Sequence, residues 1–145
     1  MKKRLLIIVS AGILGLSTQA FAHNYHDLNF SICTGSQVKP LVDTLVDNNH
    51  APADITKVDD SSFKIDGYWL SGFYNTNDTV VYKLMDANNN VQGRCSLKIY
   101  QPWGSRMSIN LTEPCTGNLA FTNFQFPDGD SEGCLNFYQP LAKPA

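Results

Sequence analysis

The chain is poor in the residues that most readily announce a function. Beyond residue 22 only two arginines remain, Arg94 and Arg106, so the basic footprint that phosphate binding requires is missing. Nucleic acid is therefore not expected as a partner, and an anionic membrane surface is disfavoured on the same ground. All three histidines, His23, His26 and His50, precede position 51, which leaves no later imidazole for acid–base work. There is no Gly-x-Ser-x-Gly elbow to present a nucleophilic serine. No cysteines form a C-x-x-C pair, the close spacing a structural zinc site uses. After Leu16 no apolar run approaches the roughly 20 residues needed to cross a bilayer, so the mature chain is expected to carry no transmembrane anchor.

What is present begins with an export signal. Met1-Lys2-Lys3-Arg4 is positively charged, Leu5 to Leu16 is apolar apart from Ser10, Gly12 and Gly15, and Ala20-Phe21-Ala22 puts small residues where a signal peptidase reads them. Residues 1–22 are read as a secretory signal peptide of bacterial type. Residues 23–145 form the exported domain, in the periplasm or the extracellular medium. No cysteine adjoins the cleavage site, so a lipid anchor has no attachment point. Eight of the eleven basic residues and all thirteen acids lie beyond residue 22, a formal balance of −5. That length suits one domain with a single core.

All four cysteines, Cys33, Cys95, Cys115 and Cys134, fall in the mature part, and an even count in an exported chain reads as two disulfides. Three pairings are possible by count alone, and strand register selects among them. With a turn at residues 101–105, Cys95 comes near Leu111, and the Pro114 turn folds Cys115 back beside it. That pairs Cys95 with Cys115 and Cys33 with Cys134.

Alternation carries the fold prediction. Val80, Tyr82 and Leu84, then Cys95, Leu97 and Ile99, then Met107, Ile109 and Leu111 alternate with other residues, and polar or turn-forming runs separate the three sets. This is a three-stranded antiparallel meander, expected to point Cys95, Leu97, Ile99, Met107, Ile109 and Leu111 into one core. Strands are also expected at 28–33, at 62–65 and 68–74 around an Asp66-Gly67 turn, at 119–126 and at 134–138, with a loop over 50–60 and a frayed tail at 140–145. Val38, Leu41, Val42, Leu45 and Val46 recur at three and four residues and predict one short helix near 38–48. The fold class is mainly β: a single antiparallel β-sandwich or small barrel of about seven to eight short strands.

Three chemistries have candidate residues. Cleavage after Ala22 leaves His23 with a free α-amine and an imidazole on one residue, a chelate for copper that His26 or His50 would complete. In that terminal histidine alone the pattern resembles the histidine brace of copper monooxygenases and periplasmic copper carriers. Cleavage after Ala20 would place His23 third, another copper- or nickel-binding arrangement. Asp128, Asp130 and Glu132, with Gly133 sixth, follow the start of a calcium-loop spacing, but its twelfth position is Gln139 instead of a bidentate Glu. Among the aromatics, Tyr100 and Trp103 are expected on the surface, where flat rings suit sugars or a protein partner.

The leading expectation is a non-catalytic exported binding or inhibitor-type domain, without a cofactor, that meets an envelope, cell-wall or host protein or glycan. Copper handling through His23 is the alternative. A small secreted hydrolase using paired carboxylates such as Asp59 and Asp60, or Asp128 and Asp130, ranks third.

Overall fold

The computed structural model describes residues 25–48, 54–69, 76–101, 107–125 and 132–141. The described residues form ten strands: β1 (Tyr25–Ile32), β2 (Leu41–Asp47), β3 (Asp54–Lys57), β4 (Phe63–Trp69), β5 (Thr76–Met85), β6 (Val91–Gln101), β7 (Ser108–Leu111), β8 (Thr116–Gly117), β9 (Ala120–Gln125) and β10 (Glu132–Tyr138). They form two five-stranded sheets. The first has the order β3-β4-β1-β10-β9, and the second runs β2-β5-β6-β7 with β8 also paired to β6. Every pair is antiparallel except β1 with β10, which run parallel.

The predicted meander is β5-β6-β7, with Val80 opposite Leu97 and Ile99 opposite Ile109. Asp86 forms its first turn: the carboxylate accepts from the backbone N–H groups of Asn88 and Asn90, both at 2.8 Å, and Asn89 takes the positive φ of 62° that Asn tolerates. Leu97 faces Leu111, so the register differs by two residues from the expected one. An even slip keeps every side chain on its own face, which is why the disulfide pairing survives it.

One core fills the space between the sheets. Leu28, Phe30, Ile65, Leu135 and Phe137 from the first sheet join Val80, Tyr82, Leu97 and Ile99 from the second. A run of rings crosses the gap: Phe30 stacks on Phe63 at 4.8 Å, Phe63 approaches Tyr82 at 6.5 Å, and Tyr82 meets Phe137 at 5.0 Å. The Tyr82 hydroxyl donates to the Ser61 carbonyl at 3.2 Å, and Val42 N–H donates to the Asp60 carbonyl at 2.7 Å, so the turn after β3 is tied to the second sheet. Both disulfides pair as the register requires. Cys33–Cys134 joins the parallel neighbours β1 and β10, and Cys95–Cys115, packed in the core, holds the segment leading into β8 against β6.

Several expectations need correction. The segment near 38–48 is not a helix, and no helix occurs among the described residues; Leu41–Asp47 is β2, paired along β5. A bulge between Val42 and Thr44 sets Val42 opposite Tyr82 and Leu45 opposite Val80, so two residues three apart face the same core. That spacing imitates a helix. The sheets share no ladder among the described residues, so the layout is two sheets of ten strands instead of one closed barrel of seven or eight. Asp66-Gly67 is not a turn: β4 runs through it, held by β1 pairs at Ile65 and Tyr68 and by β3 up to Asp66, and the dipeptide falls where the β1 register shifts. The turn lies instead at Val58–Ser62, where the Asp59 carboxylate accepts from the N–H groups of Ser61 and Ser62, and β3 occupies part of the expected 50–60 loop. Met107 packs against the core, but Leu111 is exposed because β7 ends its sheet on an open side.

Candidate binding face on the second sheet

Strict alternation along β6 buries Cys95, Leu97 and Ile99 and turns Arg94, Ser96, Lys98 and Tyr100 outward. Register then builds rows across the outer face. Asn77, Tyr100 and Ser108 form one row; Val46, Thr79, Lys98 and Asn110 the next; Thr44, Val81 and Ser96 a third; and Lys83 beside Arg94 a fourth. The surface combines hydroxyls, amides and cations with Val46, Val81 and, among the described residues, the exposed ring of Tyr100.

Its electrostatics differ from those of the whole chain. Among the described residues Lys83, Arg94 and Lys98 share the face with the carboxylate of Asp43, which the β2 bulge projects outward. Asp43 bridges Lys83 at 2.8 Å and also pairs with Arg94. The hydrogen bond from Lys83, then those of Arg94 and the two positive charges, hold the Asp43 carboxyl below its ordinary range against the opposing effect of desolvation. Lys98 makes no ion pair with a described residue; its ammonium lies 5.1 Å from the centre of the Tyr100 ring. The Ser108 hydroxyl donates to the Tyr100 carbonyl at 3.2 Å, which fixes the backbone beneath the ring. Tyr100 is 40% exposed, with the Lys98 ammonium seated over its ring.

Comparison of the chain with protein-family models, with curated proteins and with solved structures returned no match. The geometry must carry the functional reading.

Of the residues singled out in the sequence, Tyr100 is on this face. Trp103, His23, His50, Asp128 and Asp130 lie outside the described residues, as do residues 1–22. His26 belongs to β1, opposite Tyr68, and Glu132 is exposed at the start of β10. Among the described residues no three His, Cys, Asp or Glu side chains gather to hold a metal. Asp59 and Asp60, the described carboxylate pair considered for hydrolysis, are engaged in their turn: Asp59 caps it, and Asp60 pairs with Lys57 at 3.0 Å. Glu132 lines a cavity of about 230 Å³ with Asn29, Ser31 and Ser62, with no second titratable side chain among the described lining residues.

Lys83, Arg94, Lys98 and Asn110 were missed as a group. The signal was present, since Arg94-x-Ser-x-Lys98-x-Tyr100 interleaves with the buried Cys95, Leu97 and Ile99. What hid it was the use of net charge, which says nothing about distribution.

Proposed function

We propose that the protein is an exported, non-catalytic binding domain, a disulfide-clamped β-sandwich that holds an acidic glycan of a cell envelope or host surface on the outer face of its second sheet. The observation that carries the reading is the concentration of Lys83, Arg94, Lys98 and the exposed Tyr100 on one face of an otherwise acidic chain. A ring with a neighbouring ammonium suits a sugar bearing a carboxylate: the aromatic face covers the apolar side of the sugar, and Lys98 meets the acid group. The hydroxyls and amides of Thr79, Ser96, Ser108 and Asn110 supply orienting hydrogen bonds. Two disulfides and the signal-like N-terminus support an oxidising, exported setting. Nucleic acid fits less well, because Lys83 and Arg94 already share the Asp43 carboxylate, which leaves too little positive charge on this face for closely spaced phosphates.

Retention on immobilised polygalacturonate, with neutral dextran as the reference, tests this. The protein should be retained on polygalacturonate alone and be released by added salt as exposed charges are screened. Tyr100→Ala should weaken binding by about fivefold to tenfold, the scale of one aromatic contact of about 1 to 1.5 kcal/mol. Equal binding to dextran, or equal binding to single-stranded DNA, would contradict the reading.

A further inference from the structure

The charges on the outer face of the second sheet are separated by a neutral row. We propose, resting on the acidic-glycan reading above, that this spacing selects a glycan in which an acidic sugar alternates with a neutral, N-acetylated one.

The row of Val46, Thr79, Lys98 and Asn110 carries one cation. The next row, Thr44, Val81 and Ser96, carries none, and Thr112 continues it without charge, its N–H donating to the Ser96 carbonyl at 2.9 Å. In the following row Lys83 and Arg94 set two cations against the Asp43 carboxylate, which leaves one net positive charge. Lys98 and Arg94 are four residues apart on β6, about 13 Å at the usual strand rise. That exceeds the screening length of about 8 Å at physiological salt, so the two positive centres act as separate subsites. Past Arg94 the β5–β6 turn holds Asp86, with the Gln92 amide donating to its carboxylate at 3.0 Å, so among the described residues the next charge at that end is negative.

A polymer with a carboxylate on every ring fits this pattern poorly. Only part of its charge can meet Lys98 and the Arg94 cluster, and the remainder lies over the neutral row or towards Asp43 and Asp86, where like charges repel. An alternating polymer instead lays an uncharged ring between its two acids. The row beneath that ring offers the exposed Thr44, the half-buried Ser96 and, paired with Ser96 across the strands, the half-buried Val81. An acetamido group suits this mixture, because its N–H and carbonyl can pair with the hydroxyls while its methyl covers Val81.

The test titrates the disulfide-bonded protein with hyaluronate and galacturonate oligosaccharides of equal ring number, the first with an acid on every other ring and the second with one on each. At physiological ionic strength the hyaluronate fragment should bind tenfold or more tighter, although it carries fewer charges. Thr44→Lys, an exposed change checked by an unaltered melting temperature, puts a cation into the neutral row. It should tighten galacturonate binding several-fold more than hyaluronate binding and so shrink the ratio. Equal or tighter binding of the galacturonate fragment to the native protein overturns the alternation and leaves the acidic-glycan reading standing, as does a ratio that Thr44→Lys does not move. Binding of neither fragment overturns both.

Discussion

Tyr82 on β5 and Phe137 on β10 meet across the core with ring centres 5.0 Å apart, both fully buried, so this pair joins one sheet to the other. Tyr82 also donates to the Ser61 carbonyl, which brings the turn before β4 into the same contact.

Tyr82→Ala should cost about 3 to 5 kcal/mol, the range for a large buried ring, out of a typical total of about 5 to 15. Tyr82→Phe keeps the ring and loses one hydrogen bond, so about 1 kcal/mol is expected. Urea unfolding of both variants measures the difference.

The same residue predicts an alkaline limit. Burial, with the Asp59 charge adding to it, pushes the Tyr82 phenol well above its ordinary value. The folded state therefore keeps a proton that the unfolded state releases. This contribution is intact below the unfolded phenol pKa of about 10 and is lost as pH rises beyond it. Stability should fall with pH above about 10, less steeply in Tyr82→Phe; equal slopes would contradict the assignment.

What was legible in the sequence follows from physical regularity. Residues 95–100 keep strict alternation, so that part of β6 and the inward set Cys95, Leu97 and Ile99 could be read directly, whereas its start at Val91, beyond a register shift, could not. The segment 41–47 could not, because the bulge after Val42 replaces period two with a spacing of three. Asp66-Gly67 carries strong local turn chemistry, but strand pairing before and after it makes it an irregularity within β4 instead of a turn. At the candidate face Tyr100 was legible as an exposed ring. Asp43, Lys83 and Arg94 were not, since only the register between three strands brings them together.

Gly93 sits where β6 meets β8. A Cβ there would lie 2.6 Å from the Thr116 carbonyl oxygen and 2.8 Å from Leu119 Cβ, so Gly93→Ala must push the β8 segment away. A loss of about 1 to 3 kcal/mol is expected in chemical denaturation, as for other overpacked sites.

Replacing both Cys33 and Cys134 by Ala removes a link between residues 101 apart in sequence. The chain-entropy model sets an upper loss of about 4.7 kcal/mol for a loop of about 100 residues. A change below about 1 kcal/mol in denaturation would mean that the β1–β10 ladder needs no staple.

Asp43→Asn separates the effect of charge on stability from its effect on binding. The lowered Asp43 pKa contributes stability above the unfolded carboxyl pKa of about 3.9, lost as pH falls through the lower folded value. The variant should be slightly less stable at neutral pH, by about 1 kcal/mol or less for a partly exposed pair, with a shallower loss in acid. It should also bind polygalacturonate more tightly, because Lys83 and Arg94 no longer share their charge with a carboxylate.

The most direct measurement of the binding account is an amide-shift map recorded while short polygalacturonate oligosaccharides are added. Shifts should concentrate at Thr79, Lys83, Arg94, Lys98, Tyr100 and Asn110 and disappear in Lys98→Gln/Tyr100→Ala. Shifts centred on the β3–β4 turn or the Glu132 cavity, or a map unchanged by the double substitution, would contradict it.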